Sequence, residues 1–123
     1  MKKFFSALFT LLILAVIVFL AYTHQPFVKT QVNKVKGVYY VYKGDKAYKN
    51  NETFKAIKLY TYALELYPGH YGAWYNLGNI YVEYEDYMSA LDAYSQAFKH
   101  NPRMMIARMN YGIISTQKFL LFK

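Results

Sequence analysis

One pattern of residues occurs twice in the chain, and its two copies are separated by a fixed interval of about 34 residues, which we call the repeat period. The clearer copy comprises Trp74, Leu77, Gly78, Tyr81, Ala90, Tyr94, Ala97 and Pro102. Shifted back by one repeat period, the equivalent positions hold Tyr40, Gly44, Ala47, Ala56, Tyr60, Ala63 and Pro68, with Lys43 in place of the leucine. A period of this length constrains the fold strongly, because each copy is one unit that cannot bury its apolar face alone and has to stack on a neighbour.

The spacing within each copy predicts a pair of helices. The first four residues of the clearer copy are three or four apart, as are the three that follow, so each group forms one helical stripe. Glycine and alanine are small where helix axes approach, and the prolines end the helices. We therefore expect an all-α fold without strands, with helices near residues 5–23, 36–50, 53–67, 71–84, 87–100 and 104–120.

The order W-x2-L-G-x2-Y, followed by the alanine, tyrosine, alanine and proline positions, resembles the tetratricopeptide repeat family. The resemblance implies a short helical solenoid over residues 37–123, with repeats at 37–70 and 71–104. A further shift by one repeat period keeps only Gly112 and the ring of Tyr111. The third unit is accordingly expected to hold a terminal helix alone, at 105–121.

The N-terminal segment is long and apolar. Residues 4–22 carry no charge, and at about 1.5 Å per residue they nearly cover a hydrocarbon core of roughly 30 Å. This predicts a transmembrane signal-anchor helix over residues 1–23. A cleaved signal peptide is the competing interpretation, since Lys2 and Lys3 precede the apolar run, although Ala21-Tyr22-Thr23 is a poor cleavage site. Residues 24–36, with Pro26, are the expected basic linker, and from Val28 onward they could join the next helix.

The net charge of +8 is distributed unevenly along the chain. Between Lys29 and Lys58 there are eight lysines and two acidic residues, whereas residues 59–98 hold five acidic residues and no lysine or arginine. A basic stretch beside a membrane anchor favours contact with anionic lipid. The alternative is a solvated helix face. Nucleic acid is not an expected partner, because no recognition motif accompanies the charge.

Nothing in the sequence has the spacing of an active site. His24, His70 and His100 form no i, i+4 pair with a ligand residue, and the HExxH, calcium-loop and P-loop patterns are absent. The acidic residues at 83–86 are expected to cap the helix that follows. We therefore predict no catalytic residue, no metal, no cofactor and no enzyme activity.

The family resemblance implies a concave groove for a partner protein, lined by the first helix of each unit. The groove positions would be Tyr48, Lys49, Tyr75, Asn76, Asn79, Val82, Glu83, Met109 and Asn110, with Val38, Val41, Asp45 and Ile106 in the same row. In chaperone-binding members, the positions of Asn76 and Asn110 hold the backbone or terminal carboxylate of a peptide. The basic residues of that clamp are missing here, and asparagine at these positions equally serves the repeat itself.

The C-terminal segment is apolar on more than one helix face. The last helix of a solenoid normally presents a polar outer face, and exposed apolar patches often mark interfaces. The expected interface residues are Phe119, Leu120, Leu121 and Phe122. Because about three repeats are usually needed for stability, a partner or a homo-oligomer is expected to supply the missing burial.

Together these features predict a membrane-anchored adaptor or accessory subunit of a membrane-associated complex. An MKK start before one apolar run resembles bacterial secretory signal-anchors, so we expect a single-pass inner membrane protein with periplasmic repeats. The alternative function is a basic juxtamembrane module that binds anionic lipid surfaces.

Overall fold

The computed structural model describes the backbone of residues 1–121 and the side chains of residues 1–117. Over that range the fold is all-α, as predicted, with five helices and no strand. The helices are α1 (Lys2–Lys49), α2 (Thr53–Leu66), α3 (Tyr71–Glu83), α4 (Tyr87–His100) and α5 (Met105–Leu121).

The chain forms two compact units, and the first comprises Met1–Asn33. Its residues belong to α1, and their side chains are almost all exposed. Among the described residues, α1 is the one helix that is long and apolar enough to cross a membrane, a test that a signal sequence also passes. None of the residues in its most apolar window is buried.

The expected helix boundaries in this region are wrong. We expected a helix to end near residue 23 and another to begin near residue 36, but α1 is helical throughout, including at Pro26. A proline inside a helix removes one backbone donor and crowds the preceding turn. This makes the helix less stable at that turn but does not prevent it from forming. The Thr30 hydroxyl also donates a hydrogen bond to the Pro26 carbonyl at 2.8 Å.

The second unit begins at Lys34, and the core of its described residues consists of alanines, two tyrosines and several valine, leucine and isoleucine side chains. Tyr60 and Tyr94 are among its largest fully buried side chains. They pack against glycines on the preceding helix, because a Cβ added at Gly44 or Gly78 would lie within 2.7 Å of a ring carbon. The fully buried alanines are Ala56, Ala63, Ala73, Ala90, Ala97 and Ala107. The small residues of the repeat therefore mark the close approaches of helices.

The first helix of each unit ends in the same turn. Asn51 and Glu85, which are one repeat period apart, both have a positive φ, at 61° and 59°. The next amide in each case bonds five residues back: Glu52 to the Ala47 carbonyl and Asp86 to the Tyr81 carbonyl, both at 2.9 Å. This is the Schellman arrangement, which satisfies carbonyls at a helix C-terminus.

Side chains cap the first turns of α4 and α3. Asp86 accepts a hydrogen bond from the Ser89 amide at 3.2 Å, which confirms the expected capping of α4 by an acidic residue. Hydrogen bonding to the Ser89 side chain, followed by this bond to its amide, lowers the pKa of Asp86. At α3 the cap is His70, whose Nδ1 accepts from the Ala73 amide at 3.1 Å. The caps satisfy amides that the helix itself leaves without a partner.

Candidate binding groove

A buried tyrosine connects three helices at the place where α3 lies beside α1, which we call the first crossing of the two repeats. The Tyr60 hydroxyl on α2 donates to Asp45 Oδ1 on α1 at 2.6 Å. Asn76 Nδ2 on α3 donates to the same carboxylate oxygen at 2.9 Å and to the Tyr60 hydroxyl at 3.3 Å. Burial, together with the bond to Asp45, raises the pKa of Tyr60. The tyrosine thus remains neutral and holds both neighbouring helices.

The same arrangement recurs one repeat period later. Tyr94 on α4 donates to Asn79 Oδ1 at 2.8 Å, and Asn110 Nδ2 on α5 donates to the Tyr94 hydroxyl at 3.4 Å. Because a hydroxyl has one proton and can also accept, these two bonds define which way each amide points. Burial raises the pKa of Tyr94. We call the two sets of bonds the tyrosine ladder.

The first crossing is also bridged on the side facing the groove. The Tyr48 hydroxyl on α1 donates a hydrogen bond to Glu83 Oε1 on α3. This bond, followed by desolvation, raises the pKa of Tyr48 to about 12. Both residues were predicted to lie in the groove, and the structure shows that they contact each other.

At the second crossing, between α3 and α5, no such bridge can form. The positions equivalent to Tyr48 and Glu83 hold Val82 and Gln117, and valine has no hydroxyl to donate. A cavity of about 430 Å³ lies here. It is lined by Asn79, Val82, Glu83, Tyr87, Tyr94, Asn110, Ile113, Ile114 and Gln117. We call it the second-crossing cavity.

The two asparagines of this cavity each keep half of their amide group outside the ladder. Asn79 uses its carbonyl oxygen and Asn110 uses its amide nitrogen in the bonds to Tyr94. The amide nitrogen of Asn79 is a donor and the carbonyl oxygen of Asn110 is an acceptor. A peptide backbone carries the complementary pair, a carbonyl and an N–H, on each residue.

The predicted groove residues fall into several groups in the structure. Asn79, Val82, Glu83 and Asn110 line the cavity. Tyr48 and Asn76 lie at the first crossing. Of the remaining positions, Tyr75 has its ring 5.8 Å from that of Tyr94, and Lys49, Val38 and Ile106 are exposed.

Two other positions depart from the predicted row. Val41 was expected to face the groove, but that prediction is wrong: only 6% of its surface is exposed, and it packs in the core. Met109 is 61% exposed and lines a separate opening on α5. The predicted tail interface lies mostly outside the described residues, since residues 119–121 are described as helical backbone alone and Phe122 is not described.

Sequence reasoning missed several residues of the cavity: Tyr87, Tyr94, Ile113, Ile114 and Gln117. The signal that could have found Gln117 was the repeat period itself, because it is equivalent to Glu83. Tyr87 and Tyr94 come from the second helix of the unit, which the first-helix rule did not include. Among the described residues, no three histidine, aspartate or glutamate side chains are placed to hold a metal ion.

Helix pairs joined by tight turns, whose contacts recur at the repeat period, define a helical repeat protein. Two tetratricopeptide repeat family models match this chain, one at residues 71–104 and the other at residues 43–83. No curated protein matches it. The chain therefore carries tetratricopeptide repeats, a type of module that typically mediates protein–protein interaction and performs no reaction.

Proposed function

We propose that this protein is a membrane-anchored adaptor or accessory subunit that holds an extended segment of a partner protein in the second-crossing cavity. The observation that carries the proposal is the cavity itself, where Asn79 and Asn110 present a donor and an acceptor beside apolar walls. Repeat modules of this type serve protein–protein interaction, and the cavity is where the described groove is open.

The chemistry of the lining defines the segment that fits. Val82, Ile113 and Ile114 provide apolar walls for one or two aliphatic or aromatic side chains. Glu83 is the charged residue of the lining, so a lysine or arginine in the segment is favoured. A free C-terminus is disfavoured, because its carboxylate would approach Glu83 and the described lining has no basic residue to offset the repulsion.

The experiment closes the cavity by copying the first crossing into the second. In the double variant Val82→Tyr with Gln117→Glu, the two residues that bridge α1 and α3 are placed in the equivalent positions on α3 and α5. A photo-crosslinking residue at Tyr87, in the full-length protein expressed in its own cells, is expected to capture a partner in the parent protein and to lose it in this variant.

The matched control is Gln117→Glu alone, which adds the same charge and keeps Val82, so that no hydroxyl is present to form the bridge. It is expected to retain the crosslink, and mass spectrometry of the crosslinked peptide identifies the segment. Equal crosslinking in the closed variant and the control would refute a role for this cavity.

The membrane part of the proposal is supported by residues 4–22. Their side chains are exposed and uncharged, and as a helix the segment is long enough to span a bilayer. We place the anchor in a bacterial inner membrane with the repeats in the periplasm. Resistance to carbonate extraction and digestion of the repeats by protease added outside spheroplasts are the expected results. Release by carbonate contradicts the anchor, and protection from protease contradicts the periplasmic location.

A second candidate function is contact with anionic lipid. It is favoured by the exposed tyrosines Tyr39 and Tyr42, which lie among lysines on α1, with Lys43 Nζ 5.4 Å from the Tyr39 ring. In nanodiscs with anionic lipid, hydrogen exchange over residues 34–49 should be slower than in zwitterionic nanodiscs, and salt should remove the difference. Identical exchange in both lipids would eliminate this function.

A further inference from the structure

The three equivalent glycines of the repeat differ in what lies over them. A Cβ added to Gly44 would lie 2.7 Å from the Tyr60 ring, and one added to Gly78 would lie 2.6 Å from the Tyr94 ring. At Gly112, the third position of the series, a Cβ would meet no atom of the described residues within 4 Å. The first two glycines are each covered by an aromatic ring from the following helix, whereas the third is open.

The surface around Gly112 has the character of a helix-packing face. Met109 is 61% and Ile113 is 53% exposed. Together with Thr116 and Gln117 they line an opening of about 500 Å³ in which apolar surface dominates. We call this surface the open α5 face. It is equivalent to the face of α1 that α2 covers and to the face of α3 that α4 covers.

We propose that the open α5 face binds a helix of a different, acidic protein, and that this helix places a phenylalanine ring on Gly112. The two covered glycines show the kind of group that fits, a six-membered ring packed directly against a residue without a side chain. This face shares Ile113 and Gln117 with the second-crossing cavity, but Met109, Gly112 and Thr116 line the open α5 face and not that cavity.

The ring is specified as phenylalanine by the residue next to each glycine. At the covered positions that residue accepts the tyrosine hydroxyl: Asp45 for Tyr60 and Asn79 for Tyr94. The equivalent residue on α5 is Ile113, which cannot accept a hydrogen bond. A tyrosine hydroxyl buried there would lose its partner, a loss that costs more than the bond itself contributes.

The charge of this region disfavours a second copy that binds through its own α5. From residue 101 to residue 123 the sequence contains Arg103, Arg108, Lys118 and Lys123 and no acidic residue. Two copies facing each other through α5 would bring these charges together, whereas an acidic helix complements them.

A synthetic peptide provides the probe. It comprises residues 85–100 of this chain, which form α4 and its cap, with phenylalanine in place of Tyr94. The peptide holds Glu85, Asp86 and Asp92 against one lysine, so it is acidic. Fluorescence anisotropy of the labelled peptide is measured against the full-length protein in detergent micelles. The phenylalanine peptide should bind at least about tenfold more tightly than the same peptide with alanine at that position.

Two variants of the protein test the geometry. Gly112→Leu fills the space for the ring and should weaken the phenylalanine peptide by at least about tenfold, since overpacking is destabilising. Ile113→Asn recreates the acceptor of the second repeat and should reverse the preference, so that the tyrosine peptide binds more tightly than the phenylalanine peptide. Met105→Ala, at an exposed residue of α5 that lines neither opening, should leave peptide binding unchanged.

Fluorescence of Trp74 confirms that each variant is folded. Unchanged binding to Gly112→Leu, or the same phenylalanine preference in Ile113→Asn, would overturn the proposal. So would absence of binding by the phenylalanine peptide at about 1 mM, a concentration that corresponds to a binding free energy of only about −4 kcal/mol. A disulfide-linked dimer formed efficiently by Thr116→Cys would show that a second copy is the occupant and would overturn it as well.

Discussion

Replacing each of two equivalent glycines by alanine should have different effects on the stability. Gly78→Ala adds a methyl group that would lie 2.6 Å from the Tyr94 ring, whereas the methyl group of Gly112→Ala would meet no atom within 4 Å in the part of the chain that the structure describes. Both glycines lie inside helices, where alanine is favoured over glycine by about 1 kcal/mol. That gain is common to the two variants and cancels in their difference.

The difference therefore isolates the steric effect. Tyr94 is 2% exposed and its hydroxyl is held by Asn79, so the ring cannot move aside without loss of packing or of the hydrogen bond. Extra methyl groups in a packed core cost about 1 to 3 kcal/mol. We expect Gly112→Ala to be more stable than the parent by about 1 kcal/mol, and Gly78→Ala to be less stable than Gly112→Ala by about 1 to 3 kcal/mol.

Urea unfolding of the full-length protein in a mild detergent measures both values. The chain has a single tryptophan, Trp74, whose indole N–H donates to the Pro68 carbonyl at 2.8 Å, so its fluorescence reports on the repeats and not on the apolar segment. Gly44→Ala, against the Tyr60 ring, serves as a second packed case. Equal stabilisation by all three substitutions would show that the rings do not restrict these positions, and the argument for the open α5 face would lose its basis.

Three further outcomes are expected in the same unfolding assay. Glu85→Gly should stabilise the protein by about 1 kcal/mol, because the left-handed backbone at φ 59° disfavours a residue with a Cβ; a loss of stability would contradict this. Burial lowers the pKa of His70 below its ordinary value of 6.5, so the unfolded state takes up the proton first and stability should fall as the pH drops below about 6.5. His70→Asn, which keeps a capping acceptor, should reduce that fall, and an unchanged pH profile would refute the assignment. Tyr60→Phe should cost about 1.5 to 3 kcal/mol because it removes a bond to a carboxylate, against about 1 kcal/mol for Tyr94→Phe, whose acceptor is neutral; equal losses would contradict the ladder as described.

The repeat period predicted most of the helical architecture. The expected helices at 53–67, 71–84, 87–100 and 104–120 agree with α2 to α5 to within a residue at each end. Local chemistry explains this agreement, because proline, the capping residues and the helical stripes act within a few positions of the chain. The same local reasoning was wrong at Pro26. We expected this proline to end the helix, but the remaining hydrogen bonds of α1 keep the segment helical.

The candidate site was only partly accessible from the sequence. Asn79, Val82, Glu83 and Asn110 line the second-crossing cavity as members of the predicted groove. Val41 does not face the groove. This position is buried in the first unit, as Val41, but the equivalent residue of the last unit, Met109, is exposed. Equivalence in the repeat gives a residue the same place on its helix, but its burial depends on which helices lie beside it.

The sequence by itself determined the repeat: its period, its helices and turns, and the small residues at which helices approach. These features follow from backbone and side-chain preferences that act over a few residues. Only the tertiary structure decided that Tyr48 closes the first crossing while Val82 leaves the second open, and that Gly112 is uncovered while its two equivalents lie under tyrosine rings. The physical reason is that a groove or an open face consists of atoms from helices far apart in the chain, and their distances exist only once those helices have packed.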